Sequence, residues 1–303
     1  MMYLNRAQIT VVGAACAEFY SEGGTKTSRG RACPCPQTES NSGSLSEPFV
    51  PGGMAVRVAL ALARMGCRVF FLSCVGTDTM GAAILTKLHK NRVNVDFVER
   101  RRDEQTTVVA IKNFSGSENF QTVSSGASAL MSRASLLSAR AMVSSCDLMV
   151  ILSDLPAEIF TFAIELAHHF RVPVMVYPHQ PEGISRGILM KIEILVVDRA
   201  GAGLLIGNKA NDLDSAAASL HLFMKYGVGA ALVVAAGSGI AGMMQGGEPF
   251  YVPAPRVSGG QVWENSMLLS YLARLLAGGV QLRDACFIAC AAVAGKSVMS
   301  FEL

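Results

Sequence analysis

Apolar residues along this chain follow two alternating periods. "QITVVGA" from Gln8, "RVFFLSCVG" from Arg68, "DLMVILS" from Asp147, "VPVMVY" from Val172, "IEILVV" from Ile192 and "ALVVAA" from Ala231 are almost unbroken apolar runs. Runs of that length between turn residues predict strands covered on both faces. Between them, apolar positions spaced three and four apart predict helices over 54–66, 80–92, 133–142, 156–169, 212–226, 264–278 and 282–299. Strands alternating with helices predict an α/β fold with a central, mostly parallel sheet and helices on both faces. One stretch breaks the rhythm. "TTVVAIKNF" and "NFQTVSS" alternate apolar with polar across a Gly-containing turn. They predict a hairpin over 105–124 standing apart as a small sheet. Residues 20–47 are polar and rich in Gly, Ser and Thr, and read as a loop or flap.

Composition narrows the class. The 303 residues are 51% apolar and only 16% charged, enough for a large core inside a covered sheet. Tyr226 to Met244 carries no charge, but its five glycines read as strand, turn, strand rather than a membrane span. The start, "MMYLNRAQITVVG", is a short polar lead into a strand, so a cytoplasmic location is expected. A net charge of +3, with Arg100, Arg101 and Arg102 as the densest basic cluster, gives nucleic acid no footprint. Most of the eight cysteines sit in apolar stretches and read as small core residues. Cys33-Pro34-Cys35 lacks two further ligands at zinc spacing, and His168-His169 lacks a second ligand set, so no metal site is expected.

The chemistry-bearing positions begin with Gly52-Gly53, which opens an apolar helix, and "GTDTMG" at Gly76 to Gly81. Further on come "SGASAL", "SDLP", "VPVMVYP", "VVAAGSGIAG" and "YVPAPRV", ahead of a C-terminal helix pair. In that order, over about residues 8–301, the chain resembles the ribokinase-like (pfkB) family of sugar and nucleoside kinases. Within it, "FFLSCVGTD" leans towards pseudouridine kinases. The resemblance implies a single ribokinase-like domain over 1–303, with a lid from about 17–50 and 105–124. It also implies ATP with magnesium as cofactors and a sugar or nucleoside as ligand, with neither nucleic acid nor membrane as partner. A homodimer formed through the lid is compatible with it.

Carried over residue by residue, the resemblance places sugar contacts at Glu18, Gly52, Gly53 and Arg57. Glu18 keeps a carboxylate one methylene longer than the family's aspartate. Arg57 replaces an asparagine with a fixed charge and a donor-only fork. Three readings stand for Arg57: a pair with Glu18, an anion site, or a solvated helix start. On the nucleotide side the resemblance places Asp198, Gly237 and Gly239, with Gly259 and Gly260 before the catalytic turn. The family's Asn-x-x-Glu becomes Asp198-Arg199-Ala200-Gly201, without its glutamate, and the aspartate of its Val-x-Asp-Pro becomes Tyr177.

The departure is largest at the turn that in the family reads Gly-Ala-Gly-Asp. Here it is Val262-Trp263-Glu264-Asn265. The family's backbone N–H groups there face the transferring phosphoryl group at a helix N-terminus, and its aspartate takes the proton of the attacking hydroxyl. Trp263 crowds that approach, Glu264 repels it and Asn265 cannot act as a base. A lost base costs roughly 10²–10⁴-fold and a lost anion-hole donor roughly 10²–10³-fold. Two functions follow. One is a pseudokinase that binds a small hydroxylated ligand or a protein partner. The other is a working phosphotransferase with Glu264 as a relocated base and Gly259-Gly260 as a shifted anion hole.

Overall fold

The computed structural model describes residues 6–23, 49–114, 119–152, 154–178, 184–206, 213–235, 238–254 and 265–295. The strands are β1 Gln8–Val12, β2 Cys16–Gly23, β3 Val50–Gly52, β4 Arg68–Leu72, β5 Cys74–Gly76, β6 Glu99–Arg101, β7 Thr107–Phe114, β8 Asn119–Ser124, β9 Leu148–Leu152, β10 Val174–Tyr177, β11 Ile194–Asp198, β12 Ala230–Ala235, β13 Gly239–Met244 and β14 Phe250–Pro253. The helices are α1 Met54–Arg64, α2 Thr79–Lys90, α3 Arg133–Ser138, α4 Arg140–Ser144, α5 Ala157–His169, α6 Arg186–Leu189, α7 Arg199–Ile206, α8 Leu213–Lys225, α9 Asn265–Ala277 and α10 Leu282–Val293.

The main sheet has eight strands in the order β14-β13-β12-β11-β10-β9-β1-β4. Neighbours from β4 through β12 run parallel, and β13 and β14 add an antiparallel edge. Period-two alternation sends successive side chains to opposite layers. In β9, Leu148, Val150 and Leu152 join the core cluster that holds residues of α1, α2, α9 and α10. Met149 and Ile151 join the cluster on the other face, with residues of α3 to α8. Both clusters are buried and apolar, which explains why the strands read as unbroken apolar runs. No helix among the described residues is long and apolar enough to cross a membrane. The uncharged window from Tyr226 contains the antiparallel strands β12 and β13.

A second sheet, in the order β3-β2-β7-β8, contains the expected hairpin and stands apart from the first. It recruits β2, which pairs parallel with β7 along Cys16–Gly23. The polar residues from 20 onward had read as loop. They are strand up to Gly23 because this sheet supplies the hydrogen-bond partners that their composition does not demand.

Three expectations need correction. "RVFFLSCVG" is two strands, not one: β4 pairs with β1, whereas β5 pairs with β6 in a separate two-stranded sheet. The buried Ser73 between them gives its carbonyl to Glu99 N, which redirects the chain. The helix expected over 133–142 breaks into α3 and α4 at Ala139, where Ser138 Oγ bonds back to the Ser135 carbonyl at 2.6 Å and competes with the helical ladder. The last helix, expected to reach 299, ends at Val293.

Candidate functional site

In open α/β sheets, ligands bind beyond the carboxyl ends of the parallel strands. Here those ends carry Gly13 after β1, Asp154 after β9, Tyr177 at the end of β10, Asp198 at the end of β11 and Ser238 after β12. The helix starts at Met54 and Asn265 and the inner end of the small sheet meet this row.

On the small-sheet side, Glu18 of β2 is 4% exposed. Its Oε1 accepts from Gly53 N at 2.8 Å and from Arg57 Nη1 at 2.6 Å, and its Oε2 accepts from the Tyr20 hydroxyl at 2.7 Å. Burial pushes the carboxyl up, but the Arg57 charge and the bonds from Tyr20, Gly53 and Arg57 outweigh it and hold it below its ordinary value. Glu18 is therefore ionised. Of the three readings of Arg57, the pair with Glu18 is the arrangement present; the Arg57 side chain is 33% exposed. Gly52 lies under the carboxylate so closely that a Cβ would collide with it. Gly53, the N-cap of α1, has φ 95°, a conformation that favours glycine. The glycine pair thus serves both a close approach and a left-handed cap. Lys87 of α2 donates to the Pro51 carbonyl at 3.1 Å and closes the same corner.

Asp154 joins from the main sheet, its Oδ1 accepting from Ala14 N at 2.9 Å. Its nearness registers on Cys16. Burial, then the Glu18 and Asp154 charges, push that thiol up to about 12 against the opposing pull of Arg57. Asp78 of the "GTDTMG" turn has a structural duty. It caps α2 through Gly81 N at 2.7 Å and takes Thr106 N and Oγ1, both at 2.7 Å, pinning the chain where it enters β7.

On the other side, Asn265 is the first residue of α9. Its Nδ2 donates to the Tyr177 hydroxyl at 2.9 Å. That hydroxyl bonds Asp198 in turn, and Asp198 Oδ1 accepts from Gly201 N at 2.6 Å. Burial, then the Asp198 charge, push the Tyr177 phenol up to about 12, so it stays neutral and donates to Asp198. The result is a relay running from a neutral amide through a neutral phenol to a charged carboxylate and the backbone. The Asp198 to Gly201 bond also caps α7, a helix that "RAGAG" does not announce because glycine has low helix propensity. Beyond it, Gly239 stands at φ 145°, with no room for a Cβ beside the Val252 carbonyl.

Residues 37–259 match the family described as pfkB family carbohydrate kinase. The chain belongs to the pfkB family. It is 24% identical over 189 residues to a ribokinase of Haemophilus influenzae, covering 62% of each chain. It is 27% identical over 194 residues to a ribokinase of Schizosaccharomyces pombe, covering 62% of this chain and 61% of that one. The matches thus span about three fifths of these relatives. In fold it is similar to the Arabidopsis thaliana ribokinase solved with ribose and ATP, with TM-score 0.80, 20% identity and coverage of 95% of this chain and 92% of that one.

Of the pfkB-derived positions, the structure brings Glu18, Gly52, Gly53 and Arg57 together in one corner, and Asp198 with Asn265, through Tyr177, in another. Gly237, Gly259, Gly260, Val262, Trp263, Glu264 and the Cys33-Pro34-Cys35 run lie outside the described residues. Family magnesium does not fit the described remnant of its site. Gly201 offers no side chain where the family has glutamate, Asp198 is engaged by Tyr177 and Gly201 N, and no described cluster of three acidic, His or Cys groups is available to a metal. Sequence reasoning missed Tyr20 and Asp154. Both left a signal: Tyr20 shares a strand face with Glu18 two residues earlier, and Asp154 is the first acidic residue after an all-apolar strand.

Proposed function

We propose that this pfkB-family chain has lost phosphotransfer and works by binding a small hydroxylated ligand in its cleft. The observation that carries the reading is the Asn265 to Tyr177 bond. The residue at the family's base position is an amide, and its side chain is spent on a phenol that stands where the family has an aspartate. An amide has no proton-accepting role at neutral pH, and a positioned base contributes roughly 10²–10⁴-fold. The missing metal partner at Gly201 compounds that loss.

The ligand class follows from kinship. Ribose is the first sugar to test because the relatives are ribokinases, and ATP is the nucleotide to test beside it, with Asp198 and Gly239 on its side of the cleft. Purified protein incubated with ATP, magnesium and a panel of sugars and nucleosides, including ribose and pseudouridine, should form no ADP above the protein-free control. Sugar-dependent turnover that is abolished by Glu264→Gln would overturn this reading in favour of a relocated base.

A further inference from the structure

Glu18 is a buried carboxylate beside the start of α1, at the end of the sheet where open α/β folds bind ligands, and such a group reads ligand hydroxyls by accepting from them. Three donors of the protein already converge on it. Both approaches to Oε1 are taken, by Gly53 N and Arg57 Nη1, and Oε2 receives the Tyr20 hydroxyl. A hydroxylated ligand would find Oε1 filled and a single acceptor site left on Oε2. In front of it stands a guanidinium that donates and cannot accept. We propose that Arg57 is the specificity-determining residue of this cleft, an internal occupant of the position where Glu18 would hold ligand hydroxyls, and that it excludes neutral sugars such as ribose.

The geometry supports more than a chance surface pair. Arg57 lies one turn into α1, on the helix capped by Gly53, so the cap and the guanidinium reach the same oxygen from one rigid element. Glu18 and Tyr20 come from one face of β2, so the acceptor and its third donor are equally fixed. A ligand must break a 2.6 Å charge-assisted bond to use Oε1. The inference concerns the same cleft as the proposed function and rests on that cleft being the ligand site. It does not depend on phosphotransfer being lost.

The test is ribose binding by calorimetry, without ATP, for the parent and for Arg57→Asn. An asparagine releases Oε1 and can both donate and accept. The variant should bind ribose about ten- to a hundredfold more tightly than the parent, the gain expected from one or two charge-assisted hydrogen bonds. Equal affinity, or binding by neither protein, overturns the proposal. Should Arg57→Asn not fold, Arg57→Gln carries the same test, because it removes the guanidinium from Oε1 and leaves a longer amide that can both donate and accept. A gain over the parent supports the proposal and no gain overturns it. Failure of the reading that phosphotransfer is lost would appear elsewhere, as ATP-dependent turnover by the parent.

Discussion

The two polar corners at the carboxyl ends of the parallel strands satisfy their groups in opposite ways. At Glu18 the solution is charged: a buried carboxylate is balanced by Arg57 and also accepts from Tyr20 and Gly53. At Asn265 the solution is a chain of dipoles in which a neutral amide leads through a neutral phenol to Asp198. The first ties two elements together, β2 of the small sheet and α1 of the large one. The second ties the start of α9 to the ends of two neighbouring strands. Removing one partner of a buried ion pair leaves a charge behind, whereas removing a link of a dipole chain leaves only an unmade hydrogen bond. The two corners should therefore respond to mutation with different magnitudes and different pH dependence.

The largest effect is expected from Arg57→Ala. Truncating one member of a buried pair costs 3–5 kcal/mol, and the partly exposed guanidinium brings this to about 3 kcal/mol. For a chain of this size that is a melting temperature lower by roughly 5 °C. Arg102→Ala is the proper control because Arg102 is exposed. Arg101, the more obvious choice in the basic run, pairs with Glu99 and donates to the Leu130 carbonyl, so its removal also costs stability. Equal shifts for Arg57→Ala and Arg102→Ala would break the comparison.

The same corner should titrate. Glu18 is held below its ordinary value of 4.5, so its contribution to stability is fully present above that value and is lost as pH falls through the lower folded value. The difference in melting temperature between the parent and Glu18→Gln should be constant above pH 4.5 and close below it. A gap that widens in acid would mean that Glu18 is protonated in the folded chain.

Most of the architecture was legible because a sheet covered on both faces writes its strands as apolar runs, as in "DLMVILS" and "ALVVAA". What was not legible depends on partners distant in sequence. β2 is a strand because β7, far along the chain, pairs with it. α7 is a helix because Asp198 caps it despite its glycines. Glu18 and Arg57 could be named from their motif positions, but three alternatives for Arg57 stood open until the β2 and α1 backbones fixed the distance. Tyr177 was visible only as a missing aspartate. That its hydroxyl takes the Asn265 amide is a property of two elements meeting at the sheet end.

A smaller effect is expected at the neutral corner. Tyr177→Phe removes the middle of the relay and leaves the ring in place. The Asn265 amide and the Asp198 carboxylate each lose one partner, at a cost of about 1–2 kcal/mol. Because the phenol, pushed up to about 12, stays neutral there, the loss should be constant between about pH 6 and 9. Its melting curve should therefore lie between those of the parent and Arg57→Ala. A loss as large as that of Arg57→Ala would show that the Gly201 N bond alone does not compensate the Asp198 carboxylate, and would break the comparison.

The smallest effect on stability is expected from Asn265→Asp, and it is the most informative about chemistry. The substitution keeps shape and places a second carboxylate against the Tyr177 hydroxyl. A phenol has one proton to give, and Asp198 already receives it. One carboxylate must go without, and the two repel across the phenol, so the variant should lose about 1 kcal/mol or less, the rest being relieved by solvent and side-chain adjustment. If the base were all that is missing, ATP-dependent turnover would appear at a level reflecting its roughly 10²–10⁴-fold contribution. We expect none, because Gly201 has no side chain to offer a metal and Arg57 already holds Glu18 Oε1. Rebuilding Gly-Ala-Gly-Asp across 262–265 should likewise recover little on its own. Measurable turnover by Asn265→Asp alone would mean that both corners are sound for catalysis and that one side chain separates this protein from an active kinase.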